Sequence, residues 1–306
     1  MKIYTQQIGL LLCITVLTRD LYGATIVYNL RIAAPTTARQ ELYAKQGLKL
    51  PSILAGTYVH QRRTLNSGNR HTINAGLVDY MYSFEHFYVR LDAAVGHVQA
   101  AMQFADITTA RTQMDDILLS AGYRHKATPQ LNLAYSLLAG IPTHKDHGFE
   151  YLQFGTGHCA LGGQVDGAYS FGEHRSNALL MALRCFHFFE ATTIVPLPTH
   201  RICVDFDLGN IFDIFVSYQK KVNAHFFEIG YNPSFAFSVS TQPSLGDLLP
   251  SSGIRNTWYA AYRYIFLTKK HPMGVLCGAS YGFDSGSALV GIKNGFSLWA
   301  GYGINF

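Results

Sequence analysis

Thirteen histidines, five cysteines and a spaced set of Asp, Glu and Arg are the residues of this 306-residue chain with chemistry in them. His144 and His147 stand three apart with Asp146 between them, a spacing that on a helix could share a metal ion. They sit beside Lys145 in a loop that follows Pro142, so no metal site is expected. An acyl-transfer site would need Ser120 or Ser136 to meet His97 or His187 across strands, and no motif selects such a pairing. Cys159, Cys185, Cys203 and Cys277 are isolated, without a CxxC pair, and read as small apolar wall residues. No glycine-rich phosphate loop or dinucleotide motif is present. The expectation is no cofactor, no metal and no catalytic residue.

The charged residues are more informative because of where they fall. Asp79, Arg90, Asp92, Asp116, Arg124, Asp166, Arg184, Asp205, Asp207, Asp213, Glu228 and Arg263 lie on the smaller-residue face of segments that alternate with period two. A strand points successive side chains to opposite faces, so such a segment has one apolar and one polar side. The last segment shows this plainly. Phe296, Leu298, Ala300, Tyr302, Ile304 and Phe306 are apolar, with Ser297, Trp299, Gly301, Gly303 and Asn305 between them. Alternation predicts strands at 53–61, 73–83, 86–97, 113–125, 130–141, 152–171, 176–189, 201–218, 223–237, 254–267, 273–283 and 296–306. Residues 287–293 read as an extension of the strand before them, ending at the turn signal Asn294-Gly295.

The connections carry independent information. Those at 84–85, 126–129, 172–175, 219–222 and 268–272 are tight. Those at 62–72, 98–112, 142–151, 190–200, 238–253 and 284–295 are longer. Short and long alternate throughout, the asymmetry of barrels with short periplasmic turns and longer external loops. The fold class expected is therefore all-β: a transmembrane antiparallel β-barrel of about twelve strands. A soluble sandwich also alternates, but here the larger apolar face carries almost no charge. Tyr80, Tyr82, Phe84, Phe87, Tyr169, Phe171, Tyr218, Tyr231, Phe266, Tyr281 and Phe283 near strand ends suit interfacial girdles.

Composition agrees. Only 14% of residues are charged against about 25% in ordinary soluble domains, while aromatics reach 13% and mean hydropathy is +0.08. Outside the N-terminus no apolar run approaches the roughly 20 residues of a membrane helix. A net charge of +5 without a block of like charges gives no nucleic-acid face. At the N-terminus, Lys2, the apolar stretch 8–18 and the small pair Gly23-Ala24 read as a signal peptide over 1–24. Residues 25–50 form a lead-in, periplasmic or plugging the lumen, with a short helix over 38–46; the barrel occupies 51–306.

Two resemblances sharpen this. Gly301, Tyr302, Ile304 and Phe306 resemble the C-terminal assembly signal of bacterial outer-membrane proteins, with Trp299 where that pattern prefers a polar residue. The resemblance implies an outer-membrane protein of a Gram-negative-type bacterium, recognised by the barrel-assembly machinery through its last strand. Residues 137–144 (LLAGIPTH), 153–163 (QFGTGHCALGG) and 164–172 (QVDGAYSFG) resemble the outer-membrane channel family linked to phenol meta-cleavage pathways, with His144 in place of that family's Gly. This implies a channel-type barrel and no named substrate. The function expected is passive passage of small solutes through a narrow, charged lumen, with outer-membrane lipid as the surrounding partner. The alternatives are a closed structural or surface-interaction barrel using the loops at 98–112, 190–200 and 238–253, or an outer-membrane hydrolase.

Overall fold

A computed structural model describes residues 52–65, 68, 70–102, 107–143, 158–189, 191–196, 201–207, 209–237, 240–241, 252–266, 273–285 and 292–305. The signal peptide, the lead-in and its helix, His144, His147, His271 and Phe306 lie outside them.

In chain order the strands are β1 (Ile53–Leu65), β2 (Arg70–Phe84), β3 (Phe87–Met102), β4 (Ile107–Met114), β5 (Ile117–Lys126), β6 (Leu131–Ile141), β7 (Ala160–Phe171), β8 (Asn177–Phe188), β9 (Ala191–Pro196), β10 (Arg201–Asp207), β11 (Gly209–Val222), β12 (His225–Phe237), β13 (Ser240–Thr241), β14 (Ser252–Phe266), β15 (Met273–Ser285) and β16 (Ile292–Asn305). The main sheet is antiparallel. It closes because β1 pairs with β16 on one side and β2 on the other, and β2 pairs with β3. Segments β4 and β5 both pair with β3 and count as one stave, so the barrel has 12 strands. Between them Asp115 and Asp116 are fully buried, and the Asp115 amide still donates to the Ala94 carbonyl at 2.8 Å.

Closure turns sequence alternation into an inside and an outside. Along β8 every second residue is buried: Ala178, Leu180, Ala182, Arg184, Phe186 and Phe188 face inward, while Leu179, Met181 and Leu183 are exposed. The outside carries exposed Val78, Val89, Val95, Leu137, Leu161, Ile229 and Leu298, the apolar belt that a hydrocarbon environment requires. At the short-turn end, rings form a run over the outer wall. Phe84 stacks on Phe87 at 5.7 Å, Phe87 meets Tyr123 at 5.3 Å, and Tyr123, His125 and Tyr135 follow at 6.0 and 5.8 Å. His86, His125, His174 and His225 all belong to this end, as their nearness to tight turns suggests.

The structure departs from the alternation-based reading at four places. First, the expected strand 201–218 is two elements. Arg201–Asp207 pairs with β9 and β13 in a separate three-stranded sheet, so Asp205 and Asp207 do not belong to the barrel wall. Gly209, at φ 64, takes the left-handed backbone that lets the chain change sheet there. Second, the loops expected at 62–72 and 98–112 are mostly strand: β1 and β2 pair out to Thr64 and Arg70, and β3 pairs with β4 out to Met102 and Ile107. Third, the 190–200 and 238–253 loops contain β9 and β13; of the strand expected from 152, residues 152–157 lie outside the described residues, and His158 and Cys159 precede the strand, which starts at Ala160. Fourth, Asn294-Gly295 is not a turn. It lies within β16 opposite Thr64 and Arg63, and Ile292 and Lys293 belong to that last strand.

A folded closed barrel resists detergent until heated. An unboiled sample is expected to migrate apart from a boiled one on a detergent gel; identical migration would return the chain to a soluble sandwich.

Candidate functional site: the barrel interior

Several of the inward charges named from sequence meet partners across the strands. The Arg90 guanidinium donates to both Asp79 oxygens, from Nη2 at 2.6 Å and Nε at 2.9 Å, and from Nε to Asp92 Oδ1 at 3.1 Å. All three side chains are buried. Arg184 and Asp213 are direct register partners, and Nε and Nη2 of the arginine donate to Asp213 Oδ2 at 2.8 and 2.6 Å. The Arg184 guanidinium also lies 5.4 Å from the Phe186 ring centre, and that of Arg124, fully buried, lies 5.3 Å from Tyr88. Such contacts suit a cation that is out of water.

Other inward acids also accept hydrogen bonds from neutral donors. Glu228 accepts from Tyr259 Oη at 2.5 Å and from Gln219 Nε2 at 3.3 Å. Asp166 accepts from Gln164 at 2.6 Å. The Asp116 amide donates to the Asp115 carboxylate at 2.8 Å. Arg263 is half-buried and pairs in register with inward Phe226 and Leu276.

One pair escaped the sequence reading. Arg255 donates to Asp284 from Nε at 2.8 Å and Nη2 at 3.3 Å, directly across β14 and β15. Arg255 shares the inward parity of Tyr259 and Arg263, which was the available signal. Asp284 lies in the stretch 284–295, whose sequence reads as loop, although it pairs within the β14–β15 ladder.

Register places two of these ion pairs, Arg184–Asp213 and Arg255–Asp284, on one row. Tyr88 pairs with Gly122, then follow Ser136, Gln164, Arg184, Asp213, Ser234, Arg255 and Asp284, each opposite the next. Every member has inward parity, and all but Gly122 carry a hydrogen-bonding side chain. A row perpendicular to strands that are themselves tilted climbs along the barrel axis as it winds round it. The inner wall therefore carries an oblique polar belt.

Large rings are fitted into this wall by glycine. Tyr88, Phe186, Tyr259 and Trp299 each face a glycine directly across the ladder: Gly122, Gly162, Gly230 and Gly278. A Cβ on Gly278 would stand 2.4 Å from the Trp299 ring and 2.7 Å from the Ala260 carbonyl oxygen. Gly278→Val is thus expected to destabilise the barrel by about 1–3 kcal/mol, the range for overpacking. Gly76→Val, where a Cβ meets nothing within 4 Å, is the matched control. Urea unfolding followed by tryptophan fluorescence compares them.

Near Gly122 and Gly163 a groove of about 750 Å³ indents the outer wall. Outward Phe87, Tyr123, Leu137 and Val165 line it together with inward Ser136, Gln164 and Arg184, because the glycines add no side chain between the two faces.

The Ser–His pairings considered from sequence are not brought together. Ser120 and Ser136 are buried inside, whereas His97 bonds to Thr112 and His187 to Asn210 on the outer face. Cys159, Cys185 and Cys277 are exposed free thiols; the Cys203 side chain is not described.

A closed antiparallel barrel with an apolar exterior and a paired polar interior defines the class: the chain has the fold of bacterial outer-membrane β-barrels. No protein-family model matches it, and no curated protein is significantly similar. Among solved structures, an outer membrane channel from Pseudomonas putida F1 aligns over 86% of this chain and 100% of its own, at 13% identity and a TM-score of 0.63. The translocator domain of the autotransporter NalP from Neisseria meningitidis aligns over 84% of this chain and 89% of its own, at 11% identity and a TM-score of 0.51. At such identities the likeness is one of fold.

Proposed function

We propose that this protein is an outer-membrane channel for passive passage of small solutes. The observation that carries the reading is the oblique polar belt from Tyr88 to Asp284. A barrel that serves only as a wall gains by filling its interior with apolar side chains, because every buried polar group must find a partner. Here hydrogen-bonding groups instead follow one row along the inner surface from β3 to β15, interrupted at Gly122. Asp79, Arg90, Asp92, Asp116, Arg124, Asp166, Arg184, Asp213, Glu228 and Arg263 line the bore in this reading. Most of the cations are held by acids or aromatic rings, so the path offers hydrogen bonds more than a net field. Eight strands are filled by their own side chains and sixteen to eighteen leave a water channel, so about twelve fits a narrow passage. Passive passage asks for no catalytic group.

The outer-membrane location is supported by the fold and by the signal-like residues 1–24. Recognition by the assembly machinery through Gly301, Tyr302, Ile304 and Phe306 fits the place of β16 at the closing seam, paired with β1. The test is electrical. Purified, folded protein is expected to give unitary conductance in planar bilayers and to swell solute-loaded liposomes. A folded protein that does neither overturns the channel reading and leaves the closed structural barrel.

A further inference from the structure

The outer face of β1–β4 changes character within one register row. The row Tyr58, Gly76, Val95 and Met114 belongs to the apolar belt. Two residues further along each strand, about 7 Å toward the long-connection end, the row is His60, Asn74, His97 and Thr112. The next is Arg62, Thr72, Gln99 and Ala110. Strands β2 and β3 have 15 and 16 residues, more than the roughly 9–11 that a tilted strand needs to cross. The hairpin therefore rises beyond the belt with its outward side chains ordered.

That order is visible in the hydrogen bonds. Asn74 Oδ1 accepts from Tyr58 Oη at 2.9 Å and bonds to His60 Nδ1 at 2.8 Å. His97 bonds to Thr112 at 2.9 Å and to Gln99 at 3.3 Å. Above this fixed row stand Arg62 and Arg70, both exposed, neither with an ion pair or hydrogen bond among the described residues. Arg62 faces Thr72, two residues from Arg70, so the arginines are diagonal neighbours about 7–8 Å apart at the backbone. Two long guanidinium arms at that separation can converge on one phosphate, which each can hold through paired N–H donors. No Asp or Glu lies on this outward face of β1–β4 among the described residues.

We propose that this face binds the phosphate of a phosphorylated glycolipid in the outer leaflet, with Arg62 and Arg70 on the phosphate and His60, Asn74, His97 and Gln99 offering hydrogen bonds beside it. The level is that of headgroups, one row beyond the apolar belt, and the charge is of the complementary sign. The inference rests on the outer-membrane reading above, but not on conduction: loss of conductance would leave it standing, and its failure would leave the channel standing.

The experiment refolds the full chain into phosphatidylcholine liposomes with or without lipid A. It records the temperature at which the folded gel band converts to the unfolded one. Lipid A is expected to raise that temperature for the natural protein. The double variant Arg62→Gln/Arg70→Gln should lose the increment while keeping its value in phosphatidylcholine alone. Lys220→Gln, at the opposite rim, should keep the increment. No increment with the natural protein, an increment that survives in the double variant, or an equal increment from inorganic phosphate alone would overturn the proposal.

Discussion

Arg90→Gln is expected to lower the stability of the folded barrel by about 3–5 kcal/mol, the cost of taking one partner from a buried ion pair. Arg90 donates to Asp79 on the neighbouring strand and to Asp92 on its own, and none of the three is exposed. Glutamine keeps a donor but removes the positive charge, so two carboxylates face each other across the β2–β3 ladder, where Asp79 and Asp92 are register partners. Urea titration of the refolded protein, read as the fraction in the heat-modifiable band, measures the loss. Adding Asp79→Asn and Asp92→Asn should restore part of it, because the penalty lies in uncompensated charge and not in the missing contact. A single variant as stable as the natural protein would mean that solvent screens this cluster.

Leu137→Arg should cost about 2–4 kcal/mol in a lipid bilayer, as a cation placed mid-membrane on a barrel's outer face does. Leu137 is 76% exposed near the middle of β6, far more than its inward neighbour Leu138 at 1%. On a soluble protein, an exposed leucine replaced by arginine shifts stability by only about 0.5 kcal/mol either way. The same urea titration in liposomes separates the two environments. The result bears on the whole reading, since it asks whether the exposed apolar face meets hydrocarbon. A neutral outcome would take the belt out of the membrane.

How far the sequence reaches can be judged at these positions. Alternation placed Arg90, Arg184 and Asp213 on the inward face and Phe296, Leu298 and Tyr302 on the outward one, and their burial follows that split. It did not show that the same alternation continues through a change of sheet. Ile202, Val204 and Phe206 keep step with Phe212 and Ile214, yet Gly209 bends the chain between them. Nor did it show where a ladder ends. Arg62, Arg70, Thr72 and Gln99 look like loop because they are polar, but backbone hydrogen bonds continue past the apolar belt irrespective of side-chain polarity. Asn294-Gly295 carries a hairpin signal that pairing on both sides of β16 overrides.

The sequence by itself thus determined which face each residue takes, because the pleat points neighbouring side chains to opposite sides whatever the strand pairs with. Partners were beyond it. That Arg184 meets Asp213, that Gly278 lies under Trp299, and that the groups from Tyr88 to Asp284 share one row all depend on register between distant segments. Register is set by twist, bulges and closure acting on the barrel together, and a single strand does not contain that information. Tertiary structure therefore turned inward charges into ion pairs and set two of those pairs on one row of the wall.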